Sequence, residues 1–413
     1  MSGFDLPAFR SHFPALDSGV AFFDSPGGTQ TPRQVGEAIA QTLGSPLSNR
    51  GTQAVSERNA EDTVTAFRSA YADLLGADPD GIVYGRSATQ LTYDFSRHLS
   101  KDWGPGDEIV VTCLDHDSNV RPWVQAAERV GARVRWIELD PATAELEIAE
   151  LEIAELDSII TERTRLVAVT AASNLVGTVP DIAAITQRAH SVDALVYVDG
   201  VHYAAHHEVD VDELGADFFV CSPYKFLGPH CAVLAAAPSL LESIRPDKLL
   251  PATDAVPERF EFGTLPYEIM AGATAAVDFI AAATAETGAR RHRLHTAQQT
   301  LESHQQRLAG RILRTLDEDF AEQVSVHSRA QHRTPTLFLT FADQHAQQVS
   351  RALSEQRIHA PAGSFYAYET VRALNLEDET GLRIGIAPYT SDDDVDRLLT
   401  ALRTTIDAKP LSS

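Results

Sequence analysis

Short apolar runs alternate with helical patterns between residues 60 and 240, and this alternation restricts the fold more than any other feature of the chain. Helical stretches such as Asn119–Val130 and Asp181–His190 separate the runs. The runs predict seven strands: Gly81–Tyr84, Glu108–Cys113, Arg133–Glu138, Arg165–Thr170, Ala194–Asp199, Asp217–Cys221 and Ala232–Ala236. Strands separated by helices favour an α/β fold with a parallel or mostly parallel sheet. In such a sheet, chemistry collects at the carboxyl ends of the strands.

The pattern changes near Glu286, after which a long polar helix is predicted over Arg290–Leu316. Strands at Thr336–Thr340 and Leu382–Ile386 and helices at His345–Glu355 and Asp392–Ala401 are predicted to follow. We therefore expect a large domain over residues 20–285 and a smaller α/β domain made of residues 1–19 and 286–413. A chain of 413 residues is long enough for each domain to bury its own core.

The chain carries a formal net charge of -24, from 34 basic and 58 acidic residues. We expect this charge to repel nucleic acid and anionic membranes. No run of eighteen apolar residues occurs, and the N-terminal stretch MSGFDLPAFRSHFP lacks the pattern of a signal peptide. Cys113, Cys221 and Cys231 form neither a CxxC pattern nor a disulfide framework, so a cytoplasmic location is expected.

Polar and small residues follow the ends of several predicted strands. Asp199 lies in VDGVHYAAH, Asn174 in AASNLVG and His116 in LDHDSNVRPW. In GRSATQ, Ala88 and Thr89 open a predicted helix, whose N-terminal amides and dipole favour a phosphate group. Taken alone, Asp199 fits equally well as a cap for the segment that follows it. Because strand ends meet at one edge of the sheet, we expect these side chains to lie together.

A lysine lies in the stretch SPYKFLGPH (residues 222–230), directly after the apolar run Phe218–Val220. A lone lysine at a strand end ordinarily extends into water. Here it accompanies a buried carboxylate, a phosphate cradle and a ring that can stack. Pyridoxal 5′-phosphate (PLP) uses all four features, because it forms an imine with a lysine, pairs its ring nitrogen with a carboxylate and binds its phosphate at a helix N-terminus.

The order of these residues, followed by EFGT (261–264), resembles the class V aminotransferase family, and within it the cysteine desulfurase and selenocysteine lyase branch. The resemblance runs from FFDSPGGTQTP (22–32) to LRIGIAPYTSDDDVDRLL (382–399). It implies the PLP-dependent transferase fold (fold type I), with a large domain around a mostly parallel seven-stranded sheet and a smaller C-terminal α/β domain.

The resemblance implies three catalytic residues. Lys225 would bind the cofactor as an imine and remove the Cα proton, Asp199 would pair with the pyridine nitrogen, and His116 would stack on the ring and act as an acid or base. His202 stands where the family usually has glutamine, and its ring N–H would donate to the phenolic oxygen of the cofactor. Tyr224 stands where the family usually has histidine. The implied cofactor-binding residues are Ala88, Thr89, His116, Asn174, Asp199, His202, Ser222, Tyr224, Lys225 and Thr264.

The resemblance also implies how substrate and a second subunit contribute. Asn174 and Arg383 would bind the carboxylate of an α-amino acid, Arg383 through a bidentate fork. Thr264 matches a residue that contacts the cofactor phosphate across a dimer interface. A homodimer with composite active sites is therefore expected.

The chain departs from the desulfurase branch in one segment. IHAPAGSFYAYET (358–370) matches the loop that carries the desulfurase nucleophile, but it contains no cysteine, and Ser364 cannot hold a persulfide. We expect a PLP-dependent lyase or transferase that most readily performs C–S cleavage or β-elimination without this nucleophile. Transamination and epimerisation are the alternatives.

The sequence lacks the motifs of several other classes of enzyme. No GxGxxG of a nicotinamide dehydrogenase and no GxSxG of a hydrolase occurs. His202 and His206 are four residues apart, but no third ligand accompanies them, so no metal site is predicted. A catalytically silent relative that keeps the fold as a scaffold is the non-enzyme alternative, and the presence of Lys225 argues against it.

Overall fold

A seven-stranded sheet forms the centre of the larger lobe in the computed structural model, which describes residues 4–147, 153–376 and 378–407. The strands of the described residues are Ala21–Phe22 (β1), Ile82–Gly85 (β2), Glu108–Thr112 (β3), Arg133–Ile137 (β4), Leu139–Asp140 (β5), Glu145–Leu146 (β6), Thr164–Thr170 (β7), Leu195–Asp199 (β8), Phe218–Cys221 (β9), Ala232–Ala236 (β10), Val324–Val326 (β11), Thr336–Phe341 (β12), Ile358–His359 (β13), Ala362–Gly363 (β14) and Gly381–Gly385 (β15). The sheet has the order β2-β10-β9-β8-β7-β3-β4.

Only β10 runs antiparallel to its neighbours in this sheet, so the predicted mostly parallel α/β fold is confirmed. The seven predicted strands are confirmed to within one residue at each end. All residues of β2, β3, β9 and β10 are buried, because helices cover both faces of the sheet. Strands buried on both faces read as continuous apolar runs rather than as alternating ones, which is why the sequence marks them clearly.

The helices of the described residues are Leu6–Arg10 (α1), Arg33–Leu43 (α2), Val55–Leu75 (α3), Ala88–Leu99 (α4), Arg121–Val130 (α5), Ile153–Ile159 (α6), Ile182–His190 (α7), Val211–Leu214 (α8), Pro238–Ser243 (α9), Tyr267–Ala281 (α10), Arg290–Asp319 (α11), Ala346–Glu355 (α12), Tyr368–Ala373 (α13) and Asp392–Asp407 (α14). Val110 of β3 contributes to one core with α3, α7 and α10, whereas Ile109 and Val111 contribute to the opposite core with α4 and α5. None of the helices in the described ranges is long and apolar enough to cross a membrane.

Helix ends were predicted less accurately than strands. The helix predicted from Asn119 begins instead at Arg121, because residues 117–119 form a 3-10 turn and Pro122 lies in the first turn of α5. Helix α7 begins after Asp181, whose side chain accepts a hydrogen bond from the amide of Ala184 at 3.0 Å. Helix α11 continues to Asp319, beyond its predicted end.

A smaller lobe is built around a four-stranded sheet of order β11-β12-β15-β14, packed on α11, α12 and α14. The predicted strands at Thr336 and Leu382 are confirmed as β12 and β15. Strand β1 pairs with β13, and Ala21 and Phe23 lie in the core of this lobe. The domain boundaries at residues 20 and 285 stay a prediction.

The strand register fixes where functional side chains can meet. Thr170 at the end of β7 pairs with Asp199 at the end of β8, and Asp199 pairs with Val220 of β9. The carboxyl ends of these three strands are therefore level, and the loops that follow them open on the same side of the sheet.

A buried ion-pair network anchors the segment after α9 to the edge of the sheet. Arg68 lies 2.7 Å from Glu258 and 2.9 Å from Glu261, and the Glu261 side chain is only 3% exposed. The second carboxylate oxygen of Glu261 accepts a hydrogen bond from the amide of Tyr84 on edge strand β2. The position of residues 261–264 therefore depends on this network.

We expect Arg68→Met to lower the free energy of unfolding by about 3–5 kcal/mol, because removing one partner leaves the Glu261 charge buried and uncompensated. Arg97→Met is the matched control: Arg97 is 57% exposed and pairs with Asp94 at 2.9 Å, so its loss should cost less than about 1 kcal/mol. Urea denaturation at fixed protein concentration measures both changes. Equal effects of the two substitutions would contradict the assignment.

Candidate active site

The carboxyl ends of the parallel strands open into a cavity at the junction of the two lobes. An outer chamber of about 830 Å³ and an inner chamber of about 80 Å³ share six lining residues. Ten of the eleven predicted site residues line one or both chambers: Ala88, Thr89, His116, Asn174, Asp199, His202, Ser222, Tyr224, Lys225 and Arg383. The structure therefore brings together side chains that lie up to 295 positions apart in the sequence, between Ala88 and Arg383.

The turn from β2 into α4 supplies hydrogen-bond donors to the inner chamber. Ser87 caps α4, and its hydroxyl accepts from the amide of Gln90 at 3.1 Å. Within the described ranges, the amides of Ala88 and Thr89 have no acceptor. The buried Ser222 lines the same chamber. Free amides at the positive end of a helix dipole are suited to bind a phosphate group.

Asp199 ends β8 and lines the inner chamber. One carboxylate oxygen accepts from the amide of Val201 at 2.9 Å, so the carboxylate supports a local turn and not a helix cap. In the part of the chain that the structure describes, no cation lies within ion-pair distance of Asp199, and burial raises the pKa of its carboxyl group to about 6. A buried carboxylate without a protein cation is suited to pair with a positively charged ring nitrogen.

Lys225 ends a short 3-10 turn after β9. Its ammonium group donates to the carbonyl of Pro26 and lies 5.1 Å from the centre of the Tyr224 ring. Burial, and then the positive charge of Arg383, lower the pKa of Lys225 to about 7. A lysine with this pKa is partly unprotonated at neutral pH, so its amine can act as a nucleophile or a base.

His116 lines both chambers from the loop after β3. Its Nδ1 accepts a hydrogen bond from the amide of Ser118 at 3.0 Å, which places the proton of the neutral ring on Nε2. Burial, followed by the charges of Lys225 and Arg383, lowers the pKa of His116 to about 4. His116 is therefore a neutral ring at physiological pH.

Arg383 of β15 is 2% exposed and reaches the outer chamber from the small lobe. Its guanidinium donates to Asp24 at 2.6 Å and to the carbonyl of Asn174 at 3.1 Å. The Phe365 ring centre lies 3.7 Å from the guanidinium carbon, and the side-chain amide of Asn174 donates to the Phe365 carbonyl at 2.9 Å. The two predicted ligands of a substrate carboxylate are thus adjacent, beneath the loop that contains Phe365.

Two residues of this arrangement were missed from the sequence. Asp24 directly follows the apolar residues Phe22 and Phe23, and a carboxylate after a buried strand was the available signal. Phe365 gave no signal, because its role depends on the fold, which brings it onto Arg383 of β15 and within hydrogen-bond distance of Asn174, 191 residues earlier.

Thr264 is the one predicted site residue that lies outside the cavity. It is exposed and lines neither chamber of its own chain. Tyr224 lines both chambers, and its ring stacks on His230 with centroids 4.8 Å apart. The predicted contacts of Thr264 and Tyr224 with a phosphate group stay predictions.

Thiol groups are absent from the lining of both chambers. Cys113, Cys221 and Cys231 are free and buried, and burial raises the pKa of each thiol, that of Cys231 to about 12. Thiols with such pKa values are protonated and inert at neutral pH. No cluster of three or more His, Cys, Asp or Glu side chains suited to a metal ion occurs within the described ranges.

Comparison with known proteins finds relatives along nearly the whole chain. Residues 21–398 match the family described as Aminotransferase class-V. The chain is 31% identical over 420 residues to the aminotransferase-like protein FGM3 of Gibberella zeae and 29% identical over 419 residues to the cysteine desulfurase CsdA of Escherichia coli K12; each alignment covers 97% of this chain and 98% of the relative. The crystal structure of the Escherichia coli CsdA matches with a TM-score of 0.84 at 27% identity, over 98% of this chain and 99% of that one.

The amine of Lys225 gives a direct test of the site's electrostatics. In the ligand-free protein, acetylation of Lys225 should rise with pH through a midpoint near 7, because its pKa is depressed from 10.5 to about that value. Free Nα-acetyllysine, with a pKa of about 10.4, is the control and should react slowly over the same range. Peptide mass spectrometry measures the rate, and a midpoint near 10 would show that Lys225 lies in water.

Proposed function

The chain belongs to the class V aminotransferase family and is a cysteine desulfurase-like, PLP-dependent enzyme, and we propose that it performs β-elimination, including C–S bond cleavage, on an α-amino acid. The family resemblance predicted from the motifs is confirmed over nearly the whole chain. The proposed reaction proceeds without a cysteine nucleophile.

The residues of the inner chamber fit PLP. The free amides of Ala88 and Thr89, with the hydroxyl of Ser222, are donors for its phosphate. Asp199 offers a carboxylate that has no ion-pair partner within the described residues, and Lys225 offers a partly unprotonated amine. These are the groups that the anionic phosphate, the ring nitrogen and the aldehyde of PLP require.

PLP, when bound, supplies an electron sink for the carbanion that forms at the substrate Cα. Asp199 keeps a proton on the ring nitrogen, because its negative charge favours the protonated form. Lys225 tethers the cofactor and then, as a free amine, removes the Cα proton. His116 supplies a flat neutral ring in the same chamber, and the proton on its Nε2 makes it a hydrogen-bond donor.

The substrate carboxylate binds at Arg383 and Asn174. Asp24 and the carbonyl of Asn174 fix the plane of the guanidinium, and Phe365 covers one of its faces. A guanidinium held in this way retains N–H donors for a carboxylate and loses little conformational freedom on binding it.

One observation supports elimination over persulfide transfer: no thiol lines the cavity, and all three cysteines are buried with raised pKa values. Sulfur therefore has no cysteine acceptor on this chain. A leaving group at Cβ departs as an anion once the Cα proton is removed, and hydrolysis then yields an oxo acid and ammonia.

The reaction is tested by incubating the purified enzyme with a panel of amino acids that carry leaving groups at Cβ. Sulfide and pyruvate from cysteine, or another thiol with an oxo acid and ammonia, support elimination. Accumulation of the pyridoxamine form of the cofactor with one equivalent of oxo acid and no leaving group overturns elimination in favour of transamination. Lys225→Ala is the control that should abolish every product.

A cysteine-free variant separates the proposal from desulfuration through a persulfide. Replacing Cys113, Cys221 and Cys231 by alanine should leave kcat for product release within about threefold of wild type, since none of the thiols takes part in the chemistry. Steady-state kinetics measure the effect after circular dichroism has verified folding. A loss of more than about a hundredfold in a folded variant would assign a nucleophile to one of these thiols.

A homodimer with composite active sites is part of the proposal. Thr264 is exposed and remote from the cavity of its own chain, so any contact with a cofactor phosphate requires a second copy. Large apolar side chains are exposed nearby in sequence: Leu249 at 73%, Leu250 at 99% and Phe262 at 47%. Exposed apolar residues of this kind favour burial against a partner. The cytoplasm is the proposed location, since the three cysteines are free.

Thr264→Ala tests the composite site. The loss of a hydrogen bond to a charged phosphate should weaken PLP binding by about 10- to 100-fold without dissociating the dimer. Thr253→Ala, another exposed threonine of the same stretch, is the matched control and should leave the affinity unchanged. Fluorescence titration measures the affinity and sedimentation velocity the oligomeric state. An unchanged affinity in the Thr264 variant would remove it from the site.

A further inference from the structure

His202 has one buried ring nitrogen without a hydrogen-bond partner. It follows β8, is 2% exposed, and lines the inner chamber together with Asp199 and Lys225. Within the described ranges, its Nδ1 has no partner and no exposure to solvent. A buried polar atom of this kind, beside a chamber suited to PLP, is available to hydrogen-bond a bound cofactor.

The other ring nitrogen is held by the small lobe. Nε2 of His202 lies 2.9 Å from the hydroxyl of Thr334 and 3.1 Å from that of Thr336. Both threonines are fully buried. Thr336 is the first residue of β12 and Thr334 precedes the strand by two residues, so both hydroxyls reach His202 from the small lobe.

The balance of donors and acceptors determines which nitrogen carries the proton. Neither hydroxyl has another hydrogen-bond partner in the part of the chain that the structure describes. If Nε2 carried the proton, both buried hydroxyl protons would lack this nitrogen as an acceptor. If Nε2 carries its single lone pair, it accepts from a threonine hydroxyl, the nearer being that of Thr334, and the proton lies on Nδ1.

The charges around His202 keep its ring neutral. Burial first, and then His206, Lys225, Arg383 and His207, lower its pKa well below 6.5. His206 lies with its ring centre 4.8 Å away, and its own Nδ1 faces the side-chain amide of Gln305 at 3.2 Å. The amide must donate in this contact, so His206 carries its proton on Nε2.

We propose that Thr334 and Thr336 are positioning residues that hold His202 as an Nδ1–H donor toward the PLP site. The inference rests on the proposed binding of PLP in the inner chamber. His202 belongs to the large lobe and the threonines belong to the small lobe, so the hydrogen bond offered to the phenolic oxygen of the cofactor depends on how the two lobes pack. Glutamine, the usual residue of the family at this position, has an amide that donates without such support.

The absorbance of the bound cofactor reports this hydrogen bond directly. A donor stabilises the ionised phenolic oxygen and so lowers the pH at which the chromophore loses its proton. The double variant Thr334→Val/Thr336→Val should raise this titration midpoint by about one pH unit and weaken PLP binding by about 5- to 10-fold. The double variant Thr334→Ser/Thr336→Ser keeps both hydroxyls and should restore wild-type values.

Two controls make the test specific. Thr340→Val removes the hydroxyl of another threonine of β12, which lies 2.8 Å from Nε2 of His327, and should leave the midpoint unchanged. In a His202→Gln background, the two valine substitutions should have no effect, because no tautomer remains to be fixed. If the double valine variant does not fold, each single valine substitution is titrated alone.

The outcomes separate this inference from the proposed function. A wild-type protein that binds no PLP overturns the proposed function itself. A wild-type protein that binds PLP, with a folded valine variant that titrates at the same pH, overturns only the role of the threonines. A shift that persists in the His202→Gln background shows that the threonines act by another route and also overturns the proposal.

Discussion

Four charged groups at the carboxyl edge of the sheet, of which Asp199 and Arg383 are buried, determine how the rest of the site is arranged. Arg383 forms an ion pair with Asp24 at 2.6 Å, whereas no cation of the described residues lies within ion-pair distance of Asp199. Lys225 donates to a carbonyl, and its pKa is lowered by burial and by Arg383. The ion pair between Arg383 and Asp24 holds in place the arginine that we propose as the ligand of the substrate carboxylate. Asp199 and Lys225 have no ion-pair partner among the described residues, and they lie where a cofactor with a cationic ring nitrogen could pair with Asp199 and its aldehyde could react with Lys225.

The site also depends on packing between the lobes. The level ends of β7, β8 and β9 place Asp199 and the loop containing Asn174 at one edge, but Arg383 and the threonines that hold His202 come from the small lobe. These contacts are buried hydrogen bonds with defined directions, so a shift of one lobe breaks several of them together. Substrate binding and cofactor electronics are therefore sensitive to the same packing between the lobes.

Features that depend on residues close together in the sequence were predicted well, whereas features that depend on remote residues were predicted poorly. The sheet was predicted closely because its strands are buried on both faces, and a buried strand is a local signal. The start of α5 was wrong by two residues because a 3-10 turn and Pro122 displaced it. Nine of the eleven site residues line the cavity because strand ends in a parallel sheet converge, and the tenth, Arg383, reaches it from β15 of the small lobe. Asp24 and Thr334 were missed because their partners Arg383 and His202 lie more than a hundred residues away, and Phe365 was missed because its hydrogen-bond partner Asn174 is equally remote.

The loop over residues 358–370 contains no cysteine, and the contacts that hold it in place bear on the proposed elimination. Phe365 and Tyr366 have φ angles of +54° and +59°, a conformation that is costly for aromatic residues and persists only where the surroundings impose it. The side-chain amide of Asn174 donates to the carbonyl of Phe365, and the backbone amide of Asp117 donates to the carbonyl of Tyr366 at 2.7 Å. The guanidinium of Arg383 packs on the Phe365 ring. A loop that carries a nucleophile to the substrate and then away must be free to move. This loop is instead held by hydrogen bonds to its backbone and by the contact of Phe365 with Arg383, and Phe365 and Tyr366 line the outer chamber, which agrees with the proposed elimination, in which the protein does not capture the leaving group.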